Sequence, residues 1–325
     1  MGFDNHINEA IKAARIFKKK HNDLSIILVG RKNEINKYIK KNEFDIHDCP
    51  DIVEMTDSPM TAIRKTKSSM YNAIKLVEDN YADGVLSAGS TSCFVTISYL
   101  ILKTIKGVTK PAFMSFLPTT KNKITGMLDV GANKNCSGLD LYIFAKMANI
   151  YFNVIEGYTK PKIGIINIGT EEKKGFEYHH VANEKISNDK SLNYLGFIEP
   201  RYILNGHVDI LISDGYSGNI VLKSIEGALK AISSVMRSSY KMPYNWLAPI
   251  FSFFSLQKIK KTFDYKKRAG AIVLGLNKPV VKTHGSADCQ QFLSSLDLLY
   301  RIIKNNICSK LKKELTKEHG NKKFI

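Results

Sequence analysis

A buried strand that ends in a glycine turn most constrains what this chain can fold into. Residues 163–168 are a short apolar run rich in β-branched side chains, which is typical of a parallel strand buried on both faces. The run stops at Gly169, and the chain then turns polar, with a lysine at Lys174, before it reaches Gly175. Because such a turn exposes backbone N–H groups beside an ammonium, it favours an anion-binding site. A surface turn with solvated charges is the simpler interpretation of this one segment.

The same pattern recurs along the chain. Glycine-bearing turns also follow predicted strands at residues 88–92, 131–133 and 214–219. In an open parallel sheet the carboxyl ends of the strands share one edge, which is where ligands bind. Small hydroxyl residues and glycines in these turns suit an oxyanion. None of the four turns matches a Walker loop or a GxGxxG fingerprint, so an ordinary nucleotide site has little support.

Strand and helix patterns alternate along the whole chain, which predicts an α/β fold with a mostly parallel sheet and helices on both faces. The predicted strands are residues 24–29, 44–49, 85–87, 112–117, 127–130, 163–168, 194–197, 208–213, 271–274 and 280–282. The predicted helices are residues 7–17, 34–41, 94–105, 139–152, 178–186 and 222–236, a longer helix after Pro59, and a last helix from about Ala287. A chain of 325 residues suffices for one large domain or two ordinary ones, and we predict a single domain over residues 1–325.

Charge and cysteine content narrow the function classes. Lysine and arginine total 48 against 30 acidic residues, and the net charge of +18 favours anionic partners such as phosphate, an acidic protein, a lipid surface or nucleic acid. The five cysteines show no CxxC spacing, so neither a zinc site nor a disulfide framework is predicted. The N-terminus has no apolar segment, and no apolar run approaches the ~20 residues of a spanning helix. We therefore expect a cytosolic protein.

Seven short motifs occur in a fixed order, and together they resemble one known family. They are Thr56-Asp57-x-Pro59, Ser68-Ser69-Met70, Ser87-Ala88-Gly89, Leu128-Asp129-Val130-Gly131-Ala132-Asn133, Asn167-x-Gly169-Thr170-Glu171-x-x-Lys174-Gly175, Asp214-Gly215-x-x-Gly218-Asn219 and His284-Gly285-Ser286. Over nearly its whole length the chain resembles the bacterial phosphate acyltransferase family, PlsX, of membrane phospholipid synthesis.

This resemblance implies a fold, an activity and a set of partners. The fold would be similar to that of the phosphate acetyltransferases and isocitrate dehydrogenases, with a protruding hairpin at about residues 219–268 that dimerises and touches the membrane. The activity would transfer a long-chain acyl group from a thioester on acyl carrier protein to inorganic phosphate, with no cofactor and no metal. The expected partners are acyl carrier protein, phosphate, a membrane surface, a second copy of the chain and a downstream glycerol-3-phosphate acyltransferase.

The chain departs from the family pattern at three places. It begins at Met1-Gly2-Phe3-Asp4, where the family has a strand leading into Asp-Ala-Met-Gly-Gly-Asp, so Phe3 stands where a glycine is expected. A start assigned too late would explain the missing strand, whereas a true truncation would leave a central strand unpaired. Ser90 and Phe197 each replace a usual asparagine, which affects substrate placement near those two turns.

The proposed chemistry asks little of side chains, because phosphate is already a nucleophile and a thiolate is a good leaving group. Lys174 and the glycine turns would hold phosphate, while Asp214 and Glu171 would orient Lys174 and the loops. The amides of Asn133, Asn167 and Asn219 would donate to the thioester carbonyl. The residues expected to bind phosphate or substrate are Gly89, Ser90, Thr91, Gly131, Gly169, Thr170, Glu171, Gly175, Gly215, Gly218 and Asn219.

Two further residue types near the motifs leave alternatives open. His284 either protonates the departing thiolate or caps the helix behind it. Cys93 and Cys136 lie near motif turns, but the pattern shows no activating base for a covalent route, so we interpret both as packing residues.

An apolar segment near the C-terminal third predicts where the enzyme works. Residues 246–256 contain the only tryptophan and three phenylalanines, and six basic residues follow by position 268. A segment of this length cannot span a bilayer but can lie in its surface, with basic side chains on anionic headgroups. The side chains predicted to contact the membrane are Trp246, Leu247, Ile250, Phe251, Phe253 and Phe254. A core or dimer-contact segment is the alternative.

Three other functions remain as alternatives. A short-chain phosphate acyltransferase that uses coenzyme A thioesters would share the fold, but it needs no membrane contact. A non-catalytic membrane-bound scaffold is disfavoured by the intact turns at residues 169–175 and 214–219. A nucleic-acid binder rests on charge alone, since the chain has no basic–aromatic binding motif, and we expect no nucleic-acid partner.

Overall fold

The computed structural model describes residues 1–240, 262 and 269–321. The chain divides into two compact units. Unit 1 comprises Met1–Ser115, Lys146–Thr159 and Lys266–Ile325, and unit 2 comprises Phe116–Ala145 and Lys160–Tyr265. The chain passes from one unit to the other within strand β4 (Ala112–Pro118) and within helix α6 (Gly138–Tyr151).

Unit 1 contains two groups of strands. Its elements are α1 (Ile7–Lys20), β1 (Ile27–Gly30), α2 (Lys32–Ile35), β2 (Asp45–Asp48), α3 (Pro59–Arg64), α4 (Ser69–Glu78), β3 (Val85–Ser87), α5 (Thr91–Leu102), β9 (Ala271–Leu274), β10 (Val280–Lys282), α9 (Cys289–Lys304) and α10 (Ile307–Asn321). Strands β1 and β2 pair in parallel as a two-stranded sheet. The other strands follow the order β3-β10-β9-β4, in which β3 and β10 are parallel and β9 is antiparallel to both of its neighbours.

Unit 2 is built on four parallel strands in the order β5-β8-β6-β7. Its elements are β5 (Ile124–Leu128), β6 (Lys162–Ile166), α7 (Glu177–Asn188), β7 (Asn193–Ile198), β8 (Ile210–Ile212) and α8 (Gly215–Tyr240). Strands β6 and β8 lie inside this order, and their β-branched side chains are buried on both faces. This is the physical reason for their near-continuous apolar runs. The predicted α/β fold with a mostly parallel sheet is therefore confirmed.

Two predicted helices are wrong in extent. The longer helix after Pro59 is instead two helices, α3 and α4, whose first turns are capped by the Ser58 and Ser68 hydroxyls. The helix predicted over residues 34–41 is a single short turn, α2. Arg15 from α1 donates to the carbonyl oxygen of Tyr38 at 2.9 Å and pairs with Glu43, so tertiary contacts hold this stretch as a turn.

The C-terminal helix prediction also needs correction. Helix α9 begins at Cys289, and Asp288 caps it by accepting from the Gln291 N–H at 3.0 Å. Asp288 and not His284 is therefore the helix cap, and a further helix, α10, follows.

The membrane prediction falls mostly outside the described residues. Within the hairpin expected at about residues 219–268, the structure describes α8 up to Tyr240, whereas residues 241–261 and 263–268 lie outside the described part of the chain. All six predicted membrane-contact residues, from Trp246 to Phe254, lie in that stretch. Among the described residues, none of the helices combines the length and the apolar character needed to cross a bilayer.

Candidate active site

Three of the predicted turns meet at one edge of unit 2. They follow β5, β8 and β6, which are parallel neighbours with Leu128 opposite Ile212 and Ile165 opposite Ile212. Their carboxyl ends therefore lie at the same edge of the sheet. Sequence patterns predicted this arrangement for the turns at residues 131–133, 169–175 and 214–219.

The turn after β5 is folded around a buried carboxylate, Asp129. Its Oδ1 accepts from the backbone N–H groups of Gly131 at 3.1 Å and Ala132 at 2.9 Å. Its Oδ2 accepts from the backbone N–H and the side-chain Nδ2 of Asn133, both at 2.8 Å. The side chain is 0% exposed. Four hydrogen bonds to one carboxylate fix the shape of this turn.

These hydrogen bonds also determine which backbone N–H groups of the turn are available to a substrate. The N–H groups of Gly131 and Asn133, which were expected to face a substrate, donate to Asp129 in this structure. Asp129 was part of the family-like motif but was not among the predicted site residues. An aspartate two residues before a glycine turn was the available signal, because aspartate commonly folds turns onto its own carboxylate.

The start of helix α8 packs directly on this turn. A Cβ on Gly218 would overlap the carbonyl oxygen of Asp129, and a Cβ on Gly215 would lie 2.6 Å from Asp129 Oδ2. A Cβ on Gly131 would lie 3.4 Å from Cγ of the Asn219 side chain. The motif glycines thus allow two backbones to approach closely. They bring Asn219 beside the β5 turn.

Asp214 fixes the beginning of α8. Its Oδ1 accepts from the Ser217 N–H at 2.9 Å, which is the hydrogen bond of a helix cap. Its Oδ2 accepts from the hydroxyl of Tyr178 at 3.1 Å. Burial and the nearby Asp214 charge raise the pKa of Tyr178, so its hydroxyl stays protonated as the donor. Asp214 therefore links α8 to the start of α7.

The loop after β6 is closed by Asn167. Its Nδ2 donates to the carbonyl oxygen of Lys174 at 2.8 Å, and its Oδ1 accepts from the Ile168 N–H at 2.9 Å. Gly175 follows with φ +96°, and a Cβ there would lie 2.6 Å from Asn167 Oδ1. Only glycine fits this conformation and this space. In this structure the Asn167 amide shapes the loop that carries Lys174.

Lys174 is exposed at the end of this loop. Among the residues that the structure describes, its ammonium makes no ion pair. The carboxylate of Glu171 and the stem of Lys174 both lie against Gly169, where a Cβ would be 2.5 Å from Glu171 Oε2 and 3.2 Å from Lys174 Cγ. Thr170 is exposed beside them. The loop thus presents an ammonium to solvent at the same sheet edge as Asn219.

Aromatic residues after the loop were missed by the sequence analysis. His179 is buried, and its Nδ1 accepts from the Phe176 N–H at 3.0 Å. Burial lowers the pKa of His179, so its imidazole is neutral near pH 7. Its ring lies 4.2 Å from that of Tyr178. The run of aromatic and histidine residues at the start of α7 was the only available signal.

Unit 1 carries the remaining predicted site residues. The turn with Gly89, Ser90 and Thr91 follows β3, and the Gly89 N–H donates to the Ser87 hydroxyl at 3.2 Å. His284 follows β10, is exposed, and accepts on Nδ1 from the Ser286 N–H at 3.2 Å. The ring proton of neutral His284 is therefore on Nε2.

The departures from the family pattern are accommodated in the packing. Phe3 packs edge-on against Phe292, with ring centroids 5.7 Å apart. Phe197 is buried on β7 and meets the ring of His180. Cys93 is fully buried and its thiol donates to the carbonyl oxygen of Asp57 at 3.2 Å, as expected of a packing residue.

Comparison with known proteins places the chain in a family. Residues 1–310 match the model of the family described as "Fatty acid synthesis protein". A phosphate acyltransferase of Malacoplasma penetrans is 49% identical over 321 residues, which cover 98% of this chain and 97% of that protein. A phosphate acyltransferase of Mycoplasmoides gallisepticum is 46% identical, covering 97% of this chain and 96% of that protein.

A solved structure shares the fold. A phosphotransacetylase from Streptococcus pyogenes superimposes with a TM-score of 0.60 at 17% identity, covering 94% of this chain and 92% of that one. The predicted similarity to phosphate acetyltransferases in fold is thereby confirmed. The chain belongs to the phosphate acyltransferase family, and it is an enzyme of that family.

Proposed function

We propose that this enzyme transfers a long-chain acyl group from acyl carrier protein to inorganic phosphate, and that the acyl phosphate feeds phospholipid synthesis. The observation that carries the proposal is the near full-length similarity to phosphate acyltransferases, at 49% identity. The three-turn edge of unit 2 supports it, because that edge combines the exposed ammonium of Lys174 with the side chain of Asn219.

The proposed reaction is an attack of a phosphate oxygen on the thioester carbonyl carbon. A C–O bond forms, the C–S bond breaks, and the carrier leaves as a thiolate that takes up a proton. Lys174 binds the phosphate charge, and Asn219 donates to the developing oxyanion. The amides of Asn133 and Asn167 already bond Asp129 and the Lys174 carbonyl, so these two residues act by shaping the turns. The imidazolium form of His284 is the proposed proton donor to the thiolate.

The donor class is the part of the proposal that net charge and an apolar segment support. A net charge of +18 suits an acidic carrier protein, because opposite charges raise the rate of encounter. A coenzyme A thioester is also polyanionic, so the charge favours either donor. We assign the carrier-bound, long-chain donor because of the apolar segment at residues 246–256, which a soluble short-chain donor would not require.

A donor comparison tests the function. Purified enzyme is supplied with phosphate and a palmitoyl thioester on either acyl carrier protein or coenzyme A, and acyl phosphate is trapped as the hydroxamate. We expect a kcat/KM at least tenfold higher with the carrier protein. A preference for a short-chain coenzyme A thioester would replace the proposal with that alternative. Formation of no acyl phosphate from either donor would leave a non-catalytic scaffold.

A lysine pair in one loop tests the phosphate assignment. Lys174→Ala should raise the KM for phosphate at least several-fold, because an exposed ammonium–phosphate contact contributes about 1 kcal/mol. Lys173→Ala removes the same charge from the exposed neighbouring position and is the matched control. Equal phosphate KM values for both variants would remove Lys174 from the site.

Membrane contact and dimerisation are also proposals. Residues 246–256 would insert aromatic side chains into the bilayer surface, each contributing roughly 1.5–3 kcal/mol, and a dimer would present two such segments. Replacing Trp246, Phe251, Phe253 and Phe254 with Ser should release the enzyme from anionic vesicles without loss of synthesis in solution. If the variant still sediments with vesicles, the segment belongs to the core or to the dimer contact. The acyl phosphate would then reach the downstream glycerol-3-phosphate acyltransferase by another route.

A further inference from the structure

Unit 1 contains a buried lysine that the proposed chemistry does not use. Lys282 is the last residue of β10 and is 4% exposed. It lies opposite Ser87, the last residue of the parallel strand β3. In the described part of the chain its Nζ has one hydrogen-bond acceptor, the carbonyl oxygen of Thr283. An ammonium has three donors, so Lys282 can donate further hydrogen bonds to anionic or carbonyl oxygens.

Packing alone does not explain a lysine at this position. Moving an ammonium out of water costs free energy unless it is paired, and an apolar side chain of the same length would fill the space without that cost. Burial lowers the pKa of Lys282 to about 8, and the exposed carboxylate of Asp4 partly offsets this effect. The lysine is therefore still largely charged at pH 7, and it forms no ion pair with any of the described residues.

The neighbouring residue has a second unused polar atom. Thr283 is 1% exposed, and its Oγ1 is buried without a hydrogen-bond partner among the described residues. Buried hydroxyl groups without partners are rare in folded proteins and call for a ligand or water. The backbone of Thr283 is fixed by its N–H, which donates to the Ser87 carbonyl oxygen at 2.9 Å. The orphan hydroxyl is thus held at the same strand end as Lys282.

The adjacent helix adds donors at that strand end. Helix α5 begins at Thr91, shortly after β3 ends, and no side chain caps it. Its first turn contains no acidic residue, so its N–H groups favour an anion. Both neighbouring turns are closely packed at their glycines, since a Cβ on Gly89 would lie 2.6 Å from Met70 Cε and one on Gly285 would lie 2.5 Å from Asp4 Oδ2. A cation, a hydroxyl donor and a helix start thus share one edge of unit 1.

We propose that Lys282 and Thr283, with the first turn of α5, form a phosphate-binding subsite in unit 1. The ligand is a phosphate group, either that of inorganic phosphate or the phosphodiester of the pantetheine arm that carries the acyl thioester. The choice of these two sources rests on the proposed function, whereas the subsite itself rests on the geometry of unit 1.

Direct binding tests the subsite without turnover. Thermal unfolding of the full chain is followed with inorganic phosphate, with phosphopantetheine or in buffer alone, for the wild type and for Lys282→Met and Thr283→Val. Lys278→Met removes a lysine of the same unit that bonds Asn80 Oδ1, and it is the matched control. We expect one of the two ligands to raise the Tm of the wild type and of the control by several degrees, and to raise it far less in the two subsite variants.

Kinetics then identify the source of the phosphate. If inorganic phosphate occupies the subsite, Lys282→Met raises the KM for phosphate about tenfold or more and leaves the donor KM unchanged. If the pantetheine arm occupies it, the KM for the acyl donor rises instead.

Unchanged ligand stabilisation in both variants would overturn the proposal and assign Lys282 a packing role. Should Lys282→Met fail to fold, the near-isosteric Thr283→Val decides. A wild type that binds phosphate but makes no acyl phosphate would refute the proposed function and keep the subsite.

Discussion

Gly175 is where the loop that carries Lys174 is most sensitive to one added carbon. Its φ of +96° lies in the region that side chains rarely adopt, and a Cβ would lie 2.6 Å from Asn167 Oδ1 and 2.9 Å from His179 Nδ1. Gly196, also in unit 2, has φ +93°, and a Cβ placed there would meet nothing within 4 Å. Comparing the two alanine variants therefore separates steric overlap from backbone strain.

The expected loss in the free energy of unfolding follows from the geometry of these two glycine sites. The positive φ costs about 1–2 kcal/mol in either variant, and the lost freedom of the unfolded chain returns about 0.4–1 kcal/mol. Gly196→Ala should therefore be destabilised by about 1 kcal/mol. In Gly175→Ala the Asn167 side chain must also move, which breaks its bond to the Lys174 carbonyl and leaves buried groups unpaired, at about 1–3 kcal/mol. A difference of about 2 kcal/mol lowers the Tm of a unit this size by roughly a further 4–8 °C.

The assay combines calorimetry with steady-state kinetics. The Tm of Gly175→Ala should fall below that of Gly196→Ala, and only Gly175→Ala should show a raised KM for phosphate, because the loop no longer holds Lys174. Equal Tm values would refute the steric argument. A lower Tm with an unchanged phosphate KM would separate the loop from phosphate binding.

Three further predictions concern separate parts of the molecule. Asp129→Asn replaces an acceptor oxygen by an NH2 donor that faces the N–H and Nδ2 of Asn133, so it should destabilise unit 2 by about 3 kcal/mol. The loss is measured as a lower urea midpoint of unfolding, and an unchanged midpoint would contradict the role of the carboxylate. Arg15 lowers the pKa of Glu43 to about 2, so the stability from this pair is present above pH 4.5 and is lost as the pH falls toward 2. Glu43→Gln should therefore weaken the loss of stability between pH 4.5 and 2, and an unaltered pH dependence would show that the pair plays no part in acid unfolding. Turnover at subsaturating acyl carrier protein should fall as ionic strength rises through the physiological range, whereas a flat profile would mean that the net charge of +18 serves another purpose.

Local patterns in the sequence predicted the strands and the turns of unit 2. Strand β6 is an uninterrupted apolar run because both of its faces are buried, and Gly175 is glycine because only glycine adopts its φ. Such constraints act within a few residues, so they are visible in the order of the amino acids. The family resemblance rested on the same turns, and it was confirmed.

Contacts between distant residues set the limits of that prediction. The stretch after α2 has a helical pattern, but Arg15, more than twenty residues earlier, bonds the Tyr38 carbonyl and holds it as a turn. Asp214 is bonded by Tyr178, which lies 36 residues away. No periodicity marks such pairs, because they depend on how elements pack.

By itself the sequence determined the α/β class, the glycine turns at strand ends and the family, since apolar period, turn chemistry and motif order are properties of the chain. Only the tertiary structure decided which backbone N–H groups of the turns remain available to a ligand and which donate to Asp129. It also decided that Lys282, in a strand of three residues, is buried beside a hydroxyl without a partner among the described residues. The physical reason is that burial and hydrogen-bond partners are fixed when separate segments pack together, and neither is encoded at any single position.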